Sequence, residues 1–134
     1  TGKLTPLLEA NRLLLERIDT QIDGDVDESS VIDGRVHIAG GARVINSTIR
    51  GPVSVGPDTE IRDAFIGPFS AIGARCSVTS SEVEHSVIMD NSIISDIPRL
   101  EGSLIGSHAK VIRTARKPRS LQLMVGDHCQ IDVE

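Results

Sequence analysis

A chain of 134 residues supports one domain with room for a short appendage. It has no Trp or Tyr and only two Phe, so any core must be aliphatic. A net charge of −5 argues against nucleic acid as the main partner. No apolar run is long enough to span a membrane and nothing reads as a signal peptide, so a cytoplasmic, membrane-free protein is expected.

Residues 1–20 form the first part, a linking helix. Thr5 is placed to cap it and Pro6 to open it, and Leu7, Leu8, Leu14 and Ile18 give an apolar stripe over residues 5–18. A lone helix of this length is marginal in water. Its stripe must therefore pack on the first coil of the repeat that begins at residue 21, on another domain, or on another subunit. The chain opens on Thr1-Gly2-Lys3 rather than methionine, and it is expected to be a piece of a longer protein.

From residue 21 a different period takes over. Ile32, Ile38, Val44, Ile49, Val55, Ile61, Ile66, Ile72, Val78, Val83, Ile88, Ile94, Leu100, Ile105 and Val111 succeed one another in steps of six, six and five. Every third rung, Ile32, Ile49, Ile66, Val83 and Leu100, recurs after 17 residues. A repeat of this kind means one small unit stacked on copies of itself. Three short segments per unit, each with one inward aliphatic, match a triangular hexapeptide-repeat coil. Gly, Pro, Ser and Asp every few residues forbid a helix over 21–111.

The neighbours of the rungs agree. Gly comes directly after the aliphatic in Val55-Gly56, Ile66-Gly67, Ile72-Gly73, Ile105-Gly106 and Val125-Gly126, where it reads as the residue of a sharp corner. Four residues after an aliphatic sits a small residue: Ser30, Ala42, Thr59, Ser70, Cys76, Ser92, Ala109 or Cys129. A narrow prism needs such fillers. Cys76 and Cys129 in this slot read as buried small hydrophobes rather than as a disulfide or a reactive thiol, which suits a reducing compartment. Residues 112–124 break the register, since the next rung would fall on Lys117. Val125 and Ile131, six apart, resume a last partial coil, so the excursion reads as a cap within a domain that spans 21–134.

The opening Thr-Gly-Lys-Leu-Thr-Pro-Leu-Leu-Glu-Ala-Asn-Arg-Leu-Leu-Leu-Glu of 1–16 resembles the segment after the catalytic domain in sugar-1-phosphate nucleotidyltransferases. Ser86-Val87-Ile88-Met89-Asp90-Asn91-Ser92-Ile93-Ile94, Leu104-Ile105-Gly106 and Leu123-Met124-Val125-Gly126-Asp127-His128 resemble the tail of the long glucose-1-phosphate thymidylyltransferase branch. The resemblance implies a left-handed coil, an exception to the usual handedness of crossovers. It also implies a parent enzyme that joins a nucleoside triphosphate to a sugar 1-phosphate, with Mg2+, in an N-terminal catalytic domain missing from this chain. The family's phosphate loop and metal-binding acids lie in that domain, so no catalytic or metal-binding residue of the transfer carries over. Oligomers are expected, a trimer by resemblance and a dimer as the other possibility.

Two groups of residues invite a chemical reading of the coil itself. Many hexapeptide proteins are acyltransferases in which a His acts as general base on acetyl-CoA chemistry. His37, His85, His108 and His128 are the candidates, His85 and His108 foremost, although an exposed, solvated His is the plainer reading of each. Bifunctional relatives pair that His with a Tyr, and this chain has none. Arg113, Arg116, Lys117 and Arg119 could hold a nucleotide phosphate, against the plainer reading of a solvated basic loop. No His/Cys/Asp cluster has zinc-site spacing.

The expectation is an all-β, left-handed parallel β-helix of hexapeptide repeats, preceded by one short N-terminal α-helix. Its expected role is the assembly or regulatory tail of a thymidylyltransferase, inactive alone; a sugar-phosphate acetylating domain is the alternative.

Overall fold

The computed structural model describes residues 4–113, and the resumed coil around Val125 and Ile131 lies outside them. Among the described residues one helix, α1 (Leu4–Leu15), precedes seventeen strands of two or three residues each. The strands wind into three parallel sheets that form the faces of a prism.

Ile38, Val55, Ile72, Ile88 and Ile105 stand one above the other on the first face. Val44, Ile61, Val78, Ile94 and Val111 do so on the second. Ile32, Ile49, Ile66, Val83 and Leu100 do so on the third. All fifteen rungs of the sequence ladder lie in the core or pack against it. Val36 and Val53 are buried as well, in the slot that Ser70 fills one coil later.

The 17-residue repeat is strict on the third face alone. On the other two faces the pairings Ile72 with Ile88 and Val78 with Ile94 span 16 residues. In this coil the edge at His85 is one residue shorter, and the next change of face, through Asp96-Ile97-Pro98-Arg99, is one residue longer.

The corners work differently from the sequence expectation. Gly56, Gly67, Gly73 and Gly106 are not the left-handed residues. That conformation falls to Asn46, Asp63, Ser80 and Asp96 along one edge, and to Gly41, Asp58, Arg75, Asn91 and His108 along a second. Gly34, Phe69, His85 and Gly102 take it on the third. Asn and Asp adopt it more readily than most residues because their side chains bond locally to the backbone. Gly56 and Gly73 are required by close approach instead. A Cβ on Gly56 would lie 2.5 Å from the Gly73 carbonyl carbon, and one on Gly73 would meet the Asp90 carboxylate.

Small buried residues tie one coil to the next. Ser47 Oγ donates to the Ile45 carbonyl at 2.8 Å and accepts from the Ala64 amide at 3.1 Å. Thr59 Oγ1 donates to the Gly73 carbonyl at 2.6 Å and accepts from the Cys76 amide at 3.1 Å. Each hydroxyl satisfies a backbone group that the turning chain would otherwise leave unpaired.

Helix α1 ends at Leu15, three residues before the sequence expectation, and Thr5 lies inside it rather than capping it. It packs against the strand Ser70–Ile72 of the first face. Leu8 and Leu15 are buried, whereas Leu7, Leu13 and Leu14 point to solvent. The expected stripe is therefore split: Leu8 turns inward with Leu15, while Leu7 and Leu14 stay outside.

Candidate functional site

The residues singled out for chemistry do not converge. His37 sits at the centre of the first-face strand Val36–Ile38, half-buried and turned outward between two buried valine and isoleucine side chains. His108 lies exposed on the edge between the first and second faces, its amide donating to the Asp90 carbonyl at 3.0 Å. His85 occupies the edge between the third and first faces. His128 lies outside the described residues, as do Cys129, Arg116, Lys117 and Arg119. Arg113 alone of the basic group is described, exposed at the end of the last described strand.

His85 is the most enclosed of the three. Its amide donates to the Pro68 carbonyl at 3.0 Å. Its ring meets the Phe69 ring edge-on, with centroids 6.3 Å apart. Nε2 is buried and has no hydrogen-bond partner among the described residues. A general base must reach the proton that it removes. Here the nitrogen is shut in beside an aromatic ring.

Phe69 joins His85 to the helix. The Asn11 amide donates to the Phe69 carbonyl at 3.1 Å, and the Arg12 guanidinium stands 5.5 Å from the centre of the Phe69 ring. Arg12 is also held by Glu9 and Glu16 at 3.2 and 3.3 Å. At the other end of the helix, Arg35 donates to the Glu16 carbonyl. These contacts make the His85 edge the seat of α1. Nothing in the sequence pattern linked Asn11 and Arg12 to Phe69, because the pairing spans 58 residues.

The charged side chains largely answer one another. Arg43 and Arg62 both reach Glu60, and these hydrogen bonds, with the Arg43 contact foremost, hold its carboxyl below the usual range. Arg99 is held by Glu84 and Glu101 at 3.2 and 3.1 Å. Asp27 accepts from the hydroxyls of Ser30 and Ser29 and from the Asn46 amide, so its acid strength is raised, chiefly by Ser30. Cys76 is buried and unpaired, and burial raises its thiol further from ionisation. That fits the filler role expected for it. Among the described residues no group of three or more His, Cys, Asp or Glu could hold a metal ion. No described helix is long and apolar enough to cross a membrane.

No family model matches the chain. Individual relatives do. A glucose-1-phosphate thymidylyltransferase of Streptomyces antibioticus is 41% identical over 134 residues, all of this chain and 38% of the relative. One of Streptomyces griseus is 40% identical over 133 residues, 99% of this chain and 38% of its own length. The likeness to thymidylyltransferases runs the length of this chain. A low-salt glycan biosynthesis nucleotidyltransferase of Haloferax volcanii is 31% identical over 134 residues and again 38% covered. The chain thus spans about two fifths of the thymidylyltransferase relatives, as expected for the tail of the long-type enzyme. A solved hexapeptide transferase family protein of Anaplasma phagocytophilum is 22% identical, covering 75% of this chain and 79% of its own, with a TM-score of 0.24. At that score the parallel coil rests on its own strand pairings.

Proposed function

We propose that this chain is the C-terminal assembly or regulatory domain of a glucose-1-phosphate thymidylyltransferase. The observation that carries the reading is the match along nearly the whole chain to thymidylyltransferases of whose length it spans 38%. In the parent, a phosphate oxygen of glucose 1-phosphate attacks the α-phosphorus of dTTP and expels pyrophosphate. Mg2+ and the groups that read the base belong to the N-terminal catalytic domain.

What the described residues offer is a rigid prism with a helix clamped along it. The enclosed Nε2 of His85, and the lack of any Tyr, favour this reading over sugar-phosphate acetylation. Leu7, Leu13 and Leu14 on the outer side of α1 are apolar surface suited to the catalytic domain. Flat coil faces suit self-association, a trimer first and a dimer next, in the cytoplasm.

The test is a pyrophosphate-release assay of the full-length parent with dTTP and UTP, each with glucose 1-phosphate and Mg2+. Activity preferring dTTP is expected from the parent, and none from this chain alone. Acetyl-CoA turnover by this chain, lost in His85→Ala or His108→Ala, would overturn the reading. Light scattering on the eluting chain reports assembly, and a monomer at micromolar concentration would remove the oligomer.

A further inference from the structure

An open groove of about 470 Å3 runs along the edge between the second and third faces, within the roughly 300–1,000 Å3 of small-molecule clefts. Its floor is Ala64 and Ser81, two of the small residues that stack along this edge. Phe65 lies on the outer side of its strand between Thr48 of the coil before and Glu82 of the coil after. The far wall arises from the longer corner of the fifth coil. There Ile97 takes the slot filled by Ser47, Ala64 and Ser81 in earlier coils, its amide donating to Ser81 Oγ at 3.0 Å. Pro98 is the added residue. Together they overhang the groove, as an extra residue at a sheet edge commonly re-aims the chain.

The polar groups at the rim are unspent. Asn46 Nδ2 donates to Asp63 Oδ1 at 2.6 Å, leaving Asp63 Oδ2 and Asn46 Oδ1 as acceptors. The hydroxyls of Thr48 and Ser80 make no hydrogen bond to any described residue. Asp63 and Glu82 bring negative charge; of the two cations nearby, Arg99 is held by Glu84 and Glu101, and Arg50 stands 5.9 Å from the centre of the Phe65 ring with Asp33 at 3.8 Å. A phosphate would meet the carboxylates of Asp63 and Glu82 here, and each of the two nearby arginines already faces a carboxylate of its own.

We propose that this groove binds a neutral, unphosphorylated saccharide. A pyranose ring offers an apolar C–H face to Phe65 and Pro98 and a rim of hydroxyls to Asp63, Asn46, Ser80 and Thr48. The Phe65 ring, backed by Arg50, and the unpaired acceptors beside two carboxylates are the features that select it over an anionic sugar or a nucleotide. The site stands whether or not the parent enzyme makes a nucleotide sugar.

Amide chemical shifts of the isotope-labelled chain, titrated with D-glucose, with maltose and with glucose 1-phosphate, test it. Saturable shifts with the two neutral sugars are expected at Asp63, Phe65, Ser80, Glu82 and Ile97, at millimolar affinity. Phe65→Ala and Asp63→Asn should each weaken binding about fivefold or more, as loss of one contact does. Asn tolerates the left-handed backbone at position 63, so that variant retains the fold if Phe65→Ala does not. Absence of shifts with both neutral sugars, tighter binding of glucose 1-phosphate, or unaltered affinity in folded Asp63→Asn would each overturn the proposal.

Discussion

Ile66 has no exposed surface and stands in line with Ile49 and Val83, so a charge there has neither water nor a partner. Ile66→Asp should cost about 3–5 kcal/mol and unfold a domain of ordinary stability, read as loss of the thermal transition. Ser47 is a quieter case. Ser47→Ala leaves the Ala64 amide buried without an acceptor, and urea denaturation should show a loss of about 1–3 kcal/mol. Two of the described carboxylates contribute to the response to acid. The folded-state values of Asp27 and Glu60 lie below those of the unfolded chain, so each stabilises the fold at neutral pH. That contribution is complete above the unfolded values of roughly 4 and is lost as pH falls through the folded ones. Asp27→Asn should therefore be less stable than the parent chain at pH 7 and equal to it at the acid end of a pH series of melting temperatures. A constant gap across the series would mean that Asp27 acts by shape and not by charge.

At the scale of elements, α1 depends on the prism more than on itself. Twelve residues are too few for a stable isolated helix, and its seat consists of Leu8, Leu15, Asn11 and Arg12. Leu15→Ala should cost about 2–5 kcal/mol if helix and coil melt together. If they melt separately, circular dichroism should show an early helical loss while the strands persist. The aliphatic ladder was legible in the sequence because each rung occupies an identical inward position, so chemistry and spacing repeat together. The corners were not, since a left-handed backbone is accepted by Asp, Asn, Ser, Arg, Phe and His alike and leaves no single residue signature. Gly56 and Gly73 marked the right places for another reason, the closeness of the next coil. The helix stripe misled because Leu7 and Leu8 are both leucines, and periodicity alone cannot tell which of two neighbouring stripes meets the coil. His85 looked open in the sequence, and only the fold brings Phe69 against it.

Across the whole molecule, each coil touches only the coils before and after it, so protection from solvent should be graded along the axis. The first coil has short, largely exposed strands at Gln21–Ile22 and Asp25–Val26, while the rungs from Ile38 to Ile94 are buried. Hydrogen exchange should be faster at residues 21–33 than at 36–88, and uniform rates would indicate a single cooperative unit. Parallel in-line pairing has one more result. Ile105 lies directly above Ile88, so excising residues 89–105 would join Ile88 to Gly106, the residue that already succeeds the rung above. The same 17 residues inserted twice would add a layer, with the seat of α1 on Phe69 untouched in either case. Each such event moves one end of the rod by about 4.8 Å relative to the other and alters no side chain's neighbours within a layer. The coil is in this sense a ruler graduated in whole layers, which lets the distance between whatever is joined at its two ends be reset by duplication instead of by redesign.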